Sequence, residues 1–378
     1  MQASNKSLTL AIWGALGAVA AYPLGEFFFI AQRAMHGSLG TLLTTILGTT
    51  LWTTILAIGC TTALIMGQNR YLRRPLIDFQ SALTGILGGA VSGAISGCLA
   101  EGFFQWAQHV GNQNLFLVLL ARLLAWTMFG CLIGLGMSFV IPNFGRLPGA
   151  ASGAVGGGIG AIAFIVAGVL AAGVMLAIGG ADAAAGVGDS LGRCIGMVIL
   201  GFALGFAIGL AEEATRTAWL QVTYGQSRES VRISLGDQPV CVGSDNRRCA
   251  VWAQGARAVA LKFRYVDGNV ICDDIAAEKT CFVPPGHQLQ VGHVTVLVCA
   301  GATASPRGNP ASDSTPSPPP QPSPSPPPPP AGRAISQPIR PQIARPMANT
   351  SGMRNVPSRL SSTKPPPPPP PPPPPRRT

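Results

Sequence analysis

The sequence predicts an α-helical membrane domain of about six Gly-rich spans in three hairpin repeats, then an all-β sandwich, then a disordered Pro-rich tail. Three observations predict it. The first 211 of 378 residues carry only 13 charged side chains. Residues 301–378 hold 28 of the 35 prolines. Between these regions, short β-rich runs alternate with turn residues. The boundaries that follow are 1–213, 214–300 and 301–378. Much of the formal charge of +11 lies in the tail, where nine Lys and Arg stand against one Asp. A basic globular nucleic-acid domain is therefore not its source, and no nucleic acid is expected as a partner.

A helical span needs about 20 apolar residues. Stretches near 8–30, 40–66, 80–105, 114–140, 149–178 and 191–213 supply them. The first is either a retained anchor or a signal peptide with Ala18-Val19-Ala20 as its cleavage site. The lone basic residue Lys6 and an apolar run continuing past Pro23 to Phe29 favour the anchor. Orientation follows from Lys and Arg in short loops. Arg70, Arg73 and Arg74 follow the second span and Arg146 the fourth, whereas the loops after the third and fifth carry none. Arg33, after the first, is the dissenting residue. The expectation is a multi-pass protein of the cell inner membrane with both termini in the cytoplasm.

The spans read as three copies of a helical hairpin. Gly14–Phe29, Gly89–Phe104 and Gly149–Phe164 align without gaps, with small residues at every fourth position. Arg122, Gly130 and Gly134 repeat the spacing of Arg193, Gly201 and Gly205. Small-xxx-small faces let helix backbones approach closely in lipid, and they also offer a route to a homo-oligomer.

Ionisable residues inside spans are costly and mark candidate sites. Glu26 and Glu101 fall at equivalent positions, where the third repeat has Ala161. Arg122 and Arg193 begin the following helices near the same side, so each can pair with a glutamate or snorkel to the head groups. Interfacial charges that fix helix depth are the plainer reading, and a conduction or proton path is the alternative. No paired Gly/Pro interruption of the kind expected in an inverted-repeat carrier is present.

Beyond Glu212, Glu213 and Arg216, β-rich runs fall at Ala218–Tyr224, Ser230–Leu235, Val240–Gly243, Ala250–Trp252, Ala258–Tyr265, Val270–Ile275, Thr280–Val283 and Val294–Val298, a spacing that argues a sandwich of about 80 residues. The segment Pro239–Val251 lies where forkhead-associated (FHA) domains have a strand end followed by a polar loop. Arg257–Tyr265 lies where they carry a phosphate-contacting strand, and residues 284–298 resemble their closing strand pair. Residues 219–299 thus resemble an FHA-like sandwich, and the resemblance implies binding of phosphothreonine peptides. The ligand groups depart from that pattern: Ser244 stands at the Arg position, Arg257 at the Ser position and Ala260 at the His position. The Asn-Gly turn is replaced near Ala277-Glu278-Lys279. Ser244, Arg247, Arg248 and Arg257 remain the candidate partner-binding residues, with solvated surface as the plainer reading. The order of a Gly-rich multi-span region, a Gly209–Leu220 segment and an FHA-like domain also resembles bacterial membrane proteins of scaffolding or signalling type.

Five of the nine cysteines lie in the sandwich and none forms C-x-x-C, which writes neither a zinc ribbon nor a complete disulfide framework. A reduced state is expected; Cys241–Cys249 or Cys272–Cys281 are the bridges an exported domain could form. His287 and His293 with Asp273 and Asp274 are the best metal candidates, yet no metal or cofactor is expected. No hydrolase, kinase or P-loop signature appears, so no enzyme is expected. From residue 302 the chain cannot bury a core. Its proline tracts 326–330 and 365–375 favour polyproline II, and Arg376-Arg377 completes an end that resembles SH3 ligands. The expected function is a membrane scaffold or adaptor whose partners are membrane lipid and proteins met through the sandwich and tail. A small channel or carrier with a regulatory sandwich, and a phosphothreonine-peptide receptor, are the alternatives.

Overall fold

The computed structural model describes residues 2–3, 5–34, 41–110, 114–225 and 229–301. The Pro-rich tail and its proline tracts lie outside the described residues. Helices α1 (Lys6–Ala34), α2 (Thr41–Tyr71), α3 (Phe79–Val110) and α4 (Leu115–Met137) come first. Five helical runs are long and apolar enough to cross a membrane. The fifth, Arg146–Ala214, has 69 residues. That is about 100 Å of helix against a hydrocarbon layer of about 30 Å, too long for one crossing. It doubles back at Gly180, whose φ of 77° and ψ of −170° leave helical space, a conformation that glycine adopts without steric cost. A π-helical turn, Ala184–Gly188, then separates α5 (Arg146–Ala183) from α6 (Asp189–Ala214). The irregular loop expected after the fifth stretch is thus a helical reversal.

Each helix packs on the next, and α6 returns to α1. The contacts are made by backbone rather than by large side chains. A Cβ at Gly153 of α5 would fall 2.1 Å from the Gly130 carbonyl oxygen of α4. One at Gly93 of α3 would fall 2.4 Å from Thr54 Cα of α2, and one at Gly14 of α1 would fall 2.2 Å from the Gly201 carbonyl oxygen of α6. In each repeat, therefore, the small-residue face of the first helix lies on the second helix of the preceding hairpin, cyclically. The faces that offered a route to association between copies are occupied by helices of the same chain. Leu10, Leu64, Phe129, Met197, Leu200 and Leu204, from α1, α2, α4 and α6, fill the interior.

Two five-stranded sheets follow. One has the order β1-β3-β2-β10-β9 and the other β5-β4-β6-β7-β8. Their strands are β1 (Gln2–Ala3), β2 (Ala218–Tyr224), β3 (Glu229–Leu235), β4 (Val240–Gly243), β5 (Val251–Trp252), β6 (Leu261–Val266), β7 (Asn269–Asp274), β8 (Lys279–Phe282), β9 (Gln288–Val291) and β10 (Val294–Ala300). Pairing is antiparallel except for β1 on β3 and β4 beside β5. The β6–β7 hairpin turns on Asp267 and Gly268, both at positive φ, as the Asp-Gly pair predicts. Alternation along β2 buries Ala218, Leu220 and Val222 against Phe263 of the facing sheet. Several strand ends shift from the expected runs by a residue or two, β6 begins at Leu261 rather than Ala258, and β1 and β9 are strands that were not expected.

The sandwich is fixed to the bundle at the end that carries Arg70, Arg73, Arg74 and Arg146. Tyr71, the last residue of α2, and Leu72 just after it belong to the sandwich core. The Tyr71 hydroxyl accepts from the Arg232 backbone N–H at 3.0 Å, and the Tyr224 hydroxyl donates to the Leu72 carbonyl at 3.2 Å. Asn143, between α4 and α5, donates to the Ser234 and Gln238 carbonyls at 3.2 and 3.1 Å and accepts from the Gln238 N–H at 3.0 Å. Its φ of 56° is one that asparagine tolerates better than most residues. Glu212, near the end of α6, accepts from Lys6 at 3.3 Å and Arg216 at 2.6 Å and also takes the Ser234 hydroxyl. Lys6 and Glu212 are each only 2% exposed, so this is a buried ionic junction.

Candidate functional site

The four residues selected on the sandwich come together on two adjoining loops, β4–β5 and β5–β6. The Ser244 N–H donates to the Arg257 carbonyl at 2.9 Å and the Asp245 N–H to the Ala258 carbonyl at 3.1 Å, so the loops are zipped by backbone. Trp252 braces them from below by donating Nε1–H to the Ser244 carbonyl at 3.1 Å. The Asp245 carboxylate accepts from the Arg247 N–H at 3.0 Å, an Asx turn that presents both following arginines. Arg248 meets Asp245 at 3.6 Å but is 78% exposed, so the pair contributes at most about 1 kcal/mol. Arg247 and Arg257 are exposed as well. Three guanidiniums on a braced loop pair can receive an anionic or polar partner; no acid, base and nucleophile are assembled there.

A contact that the sequence did not signal anchors the same loops. Arg74, between α2 and α3, donates to the Cys249 carbonyl. Burial holds its guanidinium below the ordinary arginine value. The basic loops are therefore tied to the membrane end of the sandwich. Burial also pushes the Cys249 thiol up to about 11 and the Cys272 thiol to about 12, which leaves both thiols protonated and inert at neutral pH. All nine cysteines are free; Cys272 and Cys281 are directly opposed on β7 and β8. Among the described residues no three His, Cys, Asp or Glu side chains form a metal-sized group.

The four polar residues chosen in the spans lie toward the end of the bundle away from the sandwich, and they behave differently. Arg193 pairs with Glu26 and with Asp189, one turn earlier on α6. Ser190 and Tyr22 close around them, the Tyr22 hydroxyl donating to the Ser190 carbonyl at 2.7 Å. Glu101 is buried but meets no arginine: Oε2 accepts from Thr49 at 2.9 Å and Oε1 from Gln105 at 2.7 Å. Arg122 lies over the Phe104 ring at 5.6 Å. Glu101 and Arg122 line one cavity of about 310 Å³ between α2, α3 and α4, walled by Trp52, Trp126 and Phe104. Of the pairings open at the sequence level, only Glu26–Arg193 forms.

No protein-family model, curated protein or solved structure matches this chain.

Proposed function

We propose that the chain is an integral membrane scaffold that holds an FHA-like sandwich against the cytoplasmic face of the inner membrane and presents its basic loops, with the Pro-rich tail, to protein partners. One observation carries this reading: the sandwich is joined to the bundle through the Lys6–Glu212–Arg216 cluster, Tyr71–Leu72 and Asn143, while the loops bearing Arg247, Arg248 and Arg257 remain exposed. A domain built that way is displayed in one orientation rather than swung on a linker. Cytoplasmic placement rests on Arg70, Arg73, Arg74 and Arg146 lying at the sandwich end. No catalytic role is assigned.

Because Tyr71 and Leu72 complete the sandwich core, the test uses the full chain in lipid nanodiscs rather than the isolated sandwich. Its binding to a threonine-phosphorylated peptide library is measured beside the unphosphorylated library. Scaffolding predicts captured peptides whose affinity is indifferent to phosphate. Phosphate-dependent capture abolished by Arg257→Ala would replace the scaffold with a phosphopeptide receptor, and capture of no peptide would remove the sandwich as the interaction surface.

A further inference from the structure

The three hairpins set equivalent positions at one depth, and only one of them is closed. Where α1 meets α6, Glu26 has its arginine, Arg193, with a side chain only 15% exposed. Where α3 meets α2, the equivalent Glu101 meets Thr49 instead. Where α5 meets α4, Arg122 of α4 is the equivalent of Arg193, and Ala161 of α5 stands where the glutamate would be. One carboxylate is left without a guanidinium and one guanidinium without a carboxylate. Both line the same 310 Å³ cavity, and among the described residues no ion pair joins them.

The surroundings say what would complete them. Thr49 and Gln105 occupy one acceptor site on each Glu101 oxygen, leaving lone pairs for an ammonium donor. Trp52 and Trp126 line the cavity with aromatic surface that favours a cation, while the Phe104 ring is already taken by Arg122. Arg122 offers a planar fork suited to phosphate. The cavity lies at the low end of the volumes that hold small ligands, about 300 Å³ upward. Its depth also fits a lipid. Helix α3, with 32 residues, is about 48 Å long, and Glu101 lies about 14 Å from its end. With about 30 Å of hydrocarbon centred on that helix, Glu101 falls about 5 Å inside the edge of the layer, within reach of a head group. Neighbouring Phe103, Trp106 and Leu124 are exposed, as a lipid-facing rim requires.

We propose that this cavity binds the zwitterionic head group of an aminophospholipid, with the ammonium on Glu101 and the phosphate on Arg122. The test is native mass spectrometry of the full chain released from nanodiscs of phosphatidylethanolamine plus phosphatidylglycerol, with free phosphoethanolamine added in a separate arm. The expected result is one retained phosphatidylethanolamine per chain, reduced at least tenfold by Glu101→Gln and by Arg122→Gln and unchanged by Lys279→Gln on exposed strand β8. Ala125→Phe fills the cavity without touching either charge and should also remove the lipid, which guards against charge variants that fail to fold. Adducts with free phosphoethanolamine alone, equally sensitive to both variants, would support the zwitterion site and assign it a soluble source. Preferential retention of phosphatidylglycerol, retention indifferent to Glu101→Gln, or no retained ligand in either arm would overturn the proposal.

Discussion

In α5 the large residues Val155, Ile159, Ile162 and Val166 are exposed while Gly149, Gly153 and Gly157 are buried; in β10 the order is reversed, with Val294, Val296 and Val298 buried between exposed or half-buried neighbours. The two regions draw on the same residue types and pack them in opposite directions. Lipid gives no reward for hiding a leucine, so the helices gain from backbone approach and leave aliphatic side chains outside. Water rewards burial of apolar area by about 25 cal/mol per Å², so the sandwich turns its valines inward. At the junction the rules mix: Tyr71 and Leu72 end a membrane helix yet pack as sandwich core, and an ion cluster is buried where the two meet.

The comparison breaks most completely if a side chain is forced between helices. Gly153→Leu places atoms where the Gly130 carbonyl lies, and neither backbone can yield without moving a helix. Loss of the monodisperse folded protein is expected by size-exclusion chromatography, whereas Ile159→Ala on the exposed side of the same helix should elute as wild type. Next comes the junction. Glu212→Ala leaves Lys6 and Arg216 buried without their carboxylate, a change expected to cost about 3–5 kcal/mol. A drop in thermal midpoint reported from both helix and sheet signals would check it. Leu72→Ala should cost about 2–5 kcal/mol, because the cavity opens inside the sandwich although the residue belongs to a helix end.

A smaller effect separates the loop from the spans. Asp78 occupies the N-cap of α3, where its carboxylate accepts from the Ser81 N–H at 2.7 Å and the Ser81 hydroxyl at 3.0 Å. The Ser81 backbone hydrogen bond is the main cause holding the carboxyl below the usual aspartate range. The folded value lies below the unfolded one, so the contribution is complete above about pH 4 and fades as pH falls through the folded value. Asp78→Ala should cost about 1 kcal/mol at neutral pH. Between about pH 4 and more acid conditions, wild type should lose more thermal stability than Asp78→Asn, which caps without titrating, the difference being the share that Asp78 contributes.

Much of this organisation was legible because it is local. Hydropathy marked the helical stretches, small residues at every fourth position marked the packing faces, and turn residues between β-rich runs marked the sandwich. What escaped was long-range or ambiguous. Lys6 and Glu212 pair across nearly the whole membrane region, and nothing near either residue announces the other. Tyr71-Leu72 lies beyond the 40–66 stretch among loop arginines, and nothing beside it announces a place in a β core. Asn143 and Arg74 read as loop polarity until Ser234 and Cys249 are seen opposite them. The glutamates and arginines in the spans were visible, but the absence of an arginine opposite Glu101 follows from helix pairing, which spacing alone does not fix.

Amide hydrogen exchange on the full chain in nanodiscs tests most directly whether the sandwich is joined to the bundle as one body. With Leu72→Ala, exchange should accelerate together in β2, β3 and the α2–α3 turn, spreading to β10 while α4 and α5 keep their protection. Sandwich amides that exchange as in wild type, with acceleration confined to the α2–α3 turn, would contradict it and describe a domain merely tethered to the membrane.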